Sequence, residues 1–319
     1  MATVTAVPRD QHRSTAEAPS RACVAVIVHW TDAEATLASV AALRSGTVVP
    51  SLVVVDNAAE DGSGQVLSDR LLGIDGVDVL RAASNGGFGA GCNLGIERAL
   101  LRHPGLAHVV LVNPDAVVAP DCIEALLDAA RRHPDAGIVG GRVLDPTGTG
   151  VLYENGRFRP WTLGRSHAPA PRGRDEFETG FVTGALMLVD GALLRGGLRF
   201  DPTYFLYVED LDFCREVVAR GRRLWVTTRA TCRHAEGGSQ RDDPPLLGPM
   251  RARQLEQLTR GKVYFARKRL RWPQRFVFFA VALLLRPIAG VLVARRLRVL
   301  GPYFRGVRAG LRAPLRRAR

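Results

Sequence analysis

Four short apolar runs recur through residues 22–143, each followed by a stretch of helical character. The runs are 24–28, 52–55, 77–80 and 109–112, and the helical stretches after them are 33–43, 63–72, 90–101 and 121–132. Continuous apolar runs of this length suit strands buried on both faces, because successive side chains point to opposite sides of a sheet. Strand and helix in alternation predict a mostly parallel central sheet flanked by helices, an α/β fold. Ser63, just past the turn Asp61-Gly62, is expected to cap its helix. At 319 residues the chain is long enough for one large core or two modest domains. Its five cysteines form no C-x-x-C pair, which argues against a disulfide framework or a cysteine zinc site and for a reducing compartment.

Ligands of such sheets sit outside the carboxyl ends of the strands. Polar residues fall there: His29 after the first run, Asp56 and Asn57 after the second, Asn113 and Asp115 after the fourth. No G-x-G-x-x-G follows the first strand, so the dinucleotide-binding form of the fold is excluded. A glycine-rich stretch, Ser-Asn-Gly-Gly-Phe-Gly-Ala-Gly at 84–91, comes after the third run and lacks the G-K-[ST] of a P-loop. Such a turn lets backbone pack on backbone, or lets N–H groups approach a phosphate at the start of the helix that carries Asn93.

Three patterns carry chemistry. In Asn113-Pro114-Asp115, Pro114 ends the strand and Asp115 is either a turn residue or a hard oxygen ligand for Mg²⁺ or Mn²⁺ on phosphate. Glu209, Asp210 and Asp212 open a helical stretch, 211–220, with Gly221 as its stop. Acids there suit the helix dipole, or one of them serves as a general base, and the spacing does not say which. His234 is either structural or an imidazole for a cation at Asp115.

The net charge of +13 is unevenly spread. Residues 251–319 hold 19 of the 44 basic residues and a single acid, Glu256, whereas residues 1–250 carry a net charge of −5. A basic tail suits an anionic membrane or nucleic acid. Within it, the apolar run 276–293 is interrupted by Arg286 and Pro287 and flanked by Arg271, Arg275, Arg295, Arg296 and Arg298. A mid-segment arginine disfavours a spanning helix. A helix lying in the membrane interface or a broken helical pair is preferred, with packing on the protein's own core as the other reading. The aromatic residues lie within or beside the apolar run, so a bilayer suits the tail better than nucleic acid, and no nucleic-acid partner is expected. Residues 1–21 read as a flexible polar leader without a secretory signal.

Together these stretches resemble the family 2 glycosyltransferases, in particular the bacterial rhamnosyltransferase-like branch. The resemblance rests on Val-Val-Asp-Asn-Ala-Ala-Glu-Asp-Gly-Ser at 54–63 and Asn-Gly-Gly-Phe-Gly-Ala-Gly-Cys-Asn-Leu-Gly at 85–95. It continues through Leu-Val-Asn-Pro-Asp at 111–115, Gly-Phe-Val-Thr-Gly-Ala at 180–185 and the stretch 200–212, and ends at His234 and Ser239. These occur in the family's order over residues 22–240.

The resemblance implies a GT-A fold over residues 22–245 that binds a nucleotide-sugar donor, followed by a basic, partly apolar helical region at 246–319. By position, Asp56 and Asn57 would meet the nucleotide, with His29 and Trp30 lining the same pocket. Asn85, Gly87, Phe88 and Asn93 would shape the nucleotide and sugar pocket. Asp115 matches the last acid of the family's D-x-D element, which holds a divalent metal on the diphosphate, and His234 matches the histidine that completes the metal site. Asn113 stands at the first D-x-D position, so the site carries one charge fewer. Asp210 matches the usual general base, with Glu209 beside it.

Gln257-Leu258-Thr259-Arg260-Gly261 lacks the Trp of the Q-x-x-R-W element of processive synthases. The expected activity is therefore inverting, metal-dependent transfer of one sugar, L-rhamnose from dTDP-rhamnose, to a lipid-linked cell-envelope acceptor. The alternatives are a UDP-hexose or galactofuranose donor and, in another class, a non-catalytic membrane- or nucleic-acid-binding protein. The expected location is cytoplasmic, peripheral on the inner face of the plasma membrane.

Overall fold

Every residue from Cys23 to Val28 is at most 6 % exposed, so both faces of the first strand are covered. That strand, β1 (Ser20–His29), lies near the middle of a ten-stranded sheet in a computed structural model that describes residues 20–161, 163–234, 252–288 and 300–315. It pairs in parallel with β2 (Pro50–Asp56), which pairs in parallel with β3 (Val77–Arg81), and on its other side with β4 (His108–Val112). The helices α1 (Ala33–Arg44), α2 (Ser63–Leu71) and α3 (Phe88–Arg102) make the crossovers. This half follows the expected alternation to within a few residues.

Beyond β4 the pairing becomes mixed. β5 (Ala116–Val118) is followed by α4 (Cys122–Arg132) and β6 (Ala136–Leu144). β11 (Leu186–Asp190) inserts antiparallel between β4 and β6, and β12 (Arg223–His234) runs parallel to β6. The short β5 folds back antiparallel onto the end of β12. Small strands β7 (Val151–Tyr153) and β10 (Glu176–Glu178) extend the sheet, while β8 (Asn155–Arg159) and β9 (Gly164–Ala168) form a separate hairpin. The helices α5 (Gly191–Arg195) and α6 (Glu209–Ala219) precede β12. Because β1, β2, β4 and β12 all run the same way, their carboxyl ends share one edge.

The basic C-terminal region is helical: α7 (Ala252–Arg269), α8 (Trp272–Ala280) and α9 (Leu300–Arg312). Val263, Tyr264, Phe265 and Ala266 of α7 are fully buried and join the core of the sheet domain. Basic side chains of α7 are used internally: Arg267 donates to Gly310 O and Ala313 O, both at 2.8 Å. Lys268 Nζ lies 2.6 Å from Asp201 Oδ2 and 2.7 Å from Asp212 Oδ2, and Arg269 reaches Asp212 Oδ1 at 2.6 Å and Glu216 Oε2 at 2.8 Å. The helix after α8 widens into a π turn at Val281–Leu285, where the Arg286 N–H bonds to Val281 O just ahead of Pro287. One face of this segment, Phe278 and Ala282, is buried, with the Tyr303 hydroxyl donating to Ala282 O at 2.6 Å. The other face leaves Trp272, Phe276, Leu284 and Leu285 exposed. No helix among the described residues is long and apolar enough to cross a membrane. Residues 1–19, Ser239, 289–293, Arg295, Arg296 and Arg298 lie outside the described residues.

Candidate functional site

The carboxyl edge of the sheet gathers most of the residues singled out from the sequence. His29 ends β1 and is wholly buried. Its Nδ1 lies 2.8 Å from Thr36 Oγ1 and its Nε2 2.8 Å from Ser63 Oγ. Ser63 does not cap α2 as the sequence suggested. Gly62 takes the cap position without a side-chain bond, and the Ser63 hydroxyl hydrogen-bonds to the Asp61 carboxylate instead. Ser63 donates to Asp61, and the Thr36 hydroxyl, which lies against Nδ1, also reaches Asp32 O at 3.2 Å. Burial pushes the His29 imidazole below its ordinary value, and Asp56, Asp61 and Asp32 offset only part of that.

The depressed value sets a pH dependence. Below about pH 6.5 the unfolded chain binds a proton at this residue that the folded chain refuses, so stability falls with falling pH by at most about 1.4 kcal/mol per unit. Melting curves between pH 7.5 and 5.5 should show a shallower loss for His29→Gln than for the unaltered chain. Equal slopes would mean that His29 does not titrate differently on folding.

Asp56 ends β2 and is 1 % exposed. Its Oδ1 accepts from Ala59 N at 2.8 Å, and its Oδ2 lies 3.5 Å from Arg81 Nε at the end of β3. Asn57 is buried beside it, with Nδ2 donating to Asn85 Oδ1 at 3.0 Å and to Gly87 O at 3.2 Å. Its Oδ1 is buried without a hydrogen-bond partner among the described residues. Asn85 Oδ1 also accepts from Gly87 N at 2.9 Å, which ties the glycine-rich loop to β2. Gly87 sits at φ 87°, ψ 175°, a conformation reserved for glycine, and a Cβ there would stand 1.9 Å from Phe205 O. The loop therefore turns into α3 directly against Phe205, whose carbonyl accepts from Phe88 N at 3.2 Å.

Two residues of the expected pocket are placed differently from the rest. The Asn93 amide is taken up by the Phe200 backbone, accepting from its N–H and donating to its carbonyl, both at 2.9 Å. Trp30 is half exposed at the rim. Phe88 does face the site: a Cβ on Gly184 would lie 2.9 Å from its ring and 3.8 Å from Asp210 Cβ. Gly184 thus marks where the glycine-rich loop and α6 meet.

Asn113 and Asp115 form the corner between β4 and β5. The β5–β12 pairing sets His234 opposite Ala116 and so delivers the imidazole to Asp115 across 119 positions of chain. His234 Nε2 lies 3.2 Å from Asp115 Oδ1 and 2.9 Å from Asn113 Nδ2, and the ring is 3 % exposed. Adjacent ligands of an octahedral ion with bonds of about 2.1 Å stand about 3 Å apart, so the carboxylate and imidazole fit one coordination sphere. No group of three metal-ligating side chains occurs among the described residues. Two protein ligands leave positions for substrate oxygens, the usual arrangement where a divalent ion rests on a phosphate.

On the opposite flank, α6 opens with Glu209 and Asp210. Asp210 Oδ1 accepts from Leu211 N at 2.8 Å. Glu209 is 6 % exposed, and Asp212 is held by Lys268 and Arg269, which removes Asp212 from any chemistry. The two residues before α6, Tyr207 and Val208, both adopt left-handed backbone, at φ 71° and 74°. For a β-branched residue this is costly and is found where surrounding structure imposes it. α7 packs directly against this pair: Gly261 brings that helix so close that a Cβ would stand 2.9 Å from Tyr207 O. Sequence reasoning missed this strained pair and Arg81, and gave Ser63 the role of a helix cap rather than a partner of His29. The only local signals were a Tyr-Val pair ahead of acids and a serine after glycine, both commonplace.

Residues 23–254 match the family model described as glycosyltransferase like family 2. Two curated relatives are the N-acetylglucosaminyl-diphospho-decaprenol L-rhamnosyltransferases of Mycobacterium tuberculosis strains CDC 1551 / Oshkosh and ATCC 25618 / H37Rv. Each is 31% identical over 185 residues, covering 51% of this chain and 59% of the relative. The chain thus spans less than two thirds of the length of these relatives. Among solved structures, GalNAc-T7 with UDP, GalNAc and Mn²⁺ aligns with TM-score 0.61 at 13% identity, over 88% of this chain and 54% of the other. The mannosyltransferase PcManGT from Pyrobaculum calidifontis, in complex with GDP-Man and Mn²⁺, aligns with TM-score 0.55 at 16% identity, over 92% and 86%. These similarities establish the GT-A fold. With the family model spanning most of the sheet domain and its edge, the chain belongs to glycosyltransferase family 2.

Proposed function

We propose that the protein is an inverting, metal-dependent transferase that moves L-rhamnose from dTDP-rhamnose to a lipid-linked acceptor of the cell envelope. The observation that carries this reading is the separation of two acids at one sheet edge. Asp115 stands against His234 at the β4–β5 corner, and Asp210 stands at the head of α6 beyond Gly184. Sugar transfer needs that division of labour. As the anomeric carbon–oxygen bond breaks, its electron pair goes to the nucleotide diphosphate. A divalent cation held by Asp115 and His234 would supply charge compensation there. The acceptor hydroxyl attacks the anomeric carbon from the opposite face, and the Asp210 carboxylate takes its proton. Glu209 supports the same turn of helix. Asp56, Asn57, Asn85, Gly87 and the half-exposed Trp30 form the nucleotide end. The unpartnered Asn57 Oδ1 is an acceptor, and thymine carries a matching N–H. His29 and Asn93 act one step behind, holding Ser63 and the Phe200 backbone.

The sugar and the lipid-linked acceptor are those for which the mycobacterial relatives are named. The exposed apolar face of α8 and the absence of any acid after Glu256 support attachment to the anionic inner leaflet. The test is transfer of labelled rhamnose from dTDP-rhamnose to an isoprenoid-diphosphate-linked N-acetylglucosamine, with Mg²⁺, Mn²⁺ or chelator. Metal-dependent label in the lipid fraction is expected. Transfer from a UDP-sugar alone would replace the donor, and no transfer from either would overturn the reading. In the same assay Asp115→Ala should raise the metal concentration for half-maximal rate by at least about 100-fold, since even outer-shell changes cost 10–100-fold. An unchanged metal requirement would remove Asp115 from the site.

A further inference from the structure

The β8–β9 hairpin is a strongly charged element that the roles above leave unused. The hairpin holds three arginines and the loop after it, to residue 174, two more, with no carboxylate between 155 and 174, inside a part of the chain, 1–250, whose net charge is −5. Arginine abundance across the chain does not explain such local segregation. Arg157 and Arg159 are both exposed and project from the same face of β8, roughly 7 Å apart at the backbone. Neither guanidinium has an ion-pair or hydrogen-bond partner among the described residues. Two unpaired guanidiniums at this spacing repel each other and gain when an anion bridges them; phosphate oxygens suit their forked donors.

The hairpin's position narrows the ligand. At its root, Gly156 bridges to Phe181, and Gly180 N donates to Gly156 O at 3.0 Å. Phe181 is three residues from Gly184, which lies against Asp210. On its other side, the Phe158 ring meets Phe265 of α7 edge-on at 5.7 Å, and α7 leads straight into α8 with its exposed Trp272 and Phe276. The half-exposed Trp161 stands at the hairpin turn. From α8 to the hairpin to Asp210 the order is apolar surface, cationic strand, carboxylate. A lipid-linked acceptor has the same order: isoprenoid, diphosphate, sugar hydroxyl.

We propose that Arg157 and Arg159 form the binding site for the diphosphate of an isoprenoid-linked acceptor, holding its sugar toward Asp210. This rests on the lipid-linked acceptor reading above. The test titrates farnesyl diphosphate calorimetrically into the full chain with dTDP and Mg²⁺ at saturation, so that the donor site is filled. Binding is expected, with at least about a tenfold loss for the double variant Arg157→Gln/Arg159→Gln, partial recovery for Lys at both positions, and no binding of farnesol. Melting curves verify that the variants are folded. Undiminished binding by the double variant, or no binding by the unaltered chain, overturns the proposal. So does an equal loss on phosphatidylglycerol vesicles that lack isoprenoid diphosphate, because the arginines would then read a generic anionic surface. If the unaltered chain binds farnesyl diphosphate through these arginines yet moves no sugar to an isoprenoid-linked acceptor, the diphosphate site stands and the acceptor reading falls.

Discussion

Replacing Asp210 with Asn should lower turnover by about 10³-fold while leaving the affinity for dTDP-rhamnose unchanged. The substitution keeps size and shape, and an amide oxygen still accepts from Leu211 N, a bond of 2.8 Å in the parent chain, so the start of α6 is preserved. What is lost is basicity. An acceptor hydroxyl that cannot pass its proton to a carboxylate is a weak nucleophile, and the loss falls on the chemical step rather than on donor binding. On the proposed reading, donor affinity resides elsewhere, at the ends of β1, β2 and β4. Steady-state rates with nucleotide binding measured on the same preparation decide the matter. A matching fall in both would place Asp210 in the donor pocket, and retained turnover would pass the role of base to Glu209. Glu209→Gln is the companion measurement, since that carboxylate is 6 % exposed and lies one residue away.

The part of this arrangement that was legible in the sequence is the part built by local physics. Runs such as 109–112 announce buried strands because a short apolar run bounded by polar residues suits a strand covered on both faces. The polar residues that end those strands share an edge because the strands are parallel. Long-range pairing was not legible. Nothing near Ala116 indicates that a three-residue strand will fold back on β12, yet that register is what sets His234 against Asp115. The antiparallel insertion of β11 between β4 and β6 is equally non-local. Ser63 shows tertiary structure overriding a local preference: a serine after glycine suits a helix cap, but a buried imidazole needs its hydroxyl more. Asp210 and Asp212 look alike in sequence. Two positions apart on a helix they face opposite ways, and only the docking of α7 decides which one meets cations and which one meets the site.

That docking supplies the largest expected effect on stability. Asp212→Ala should destabilise the protein by about 3 kcal/mol, because it strips a buried, shared carboxylate from two partly buried cations. Asp212 is 3 % exposed; Lys268 keeps Asp201 and Arg269 keeps Glu216, so each cation loses one of its two carboxylate partners. The melting temperature should fall by roughly 5–10 °C. The comparison that gives this number meaning is Arg305→Ala. Arg305 pairs with Glu256 at 2.9 Å but is largely exposed, and a solvent-exposed pair contributes less than about 1 kcal/mol. If Asp212→Ala proves as mild as Arg305→Ala, the network does not anchor α7. The consequence for activity follows from Gly261, whose helix presses on Tyr207 and Val208. A loosened α7 lets that left-handed pair relax toward ordinary backbone, and relaxation there displaces Glu209 and Asp210 together. Folded Asp212→Ala should therefore lose turnover at temperatures well below its melting point while its nucleotide affinity, set at the other end of the sheet edge, holds. Full turnover in that folded variant would show that the strained pair is fixed by the loop itself and not by the helix behind it.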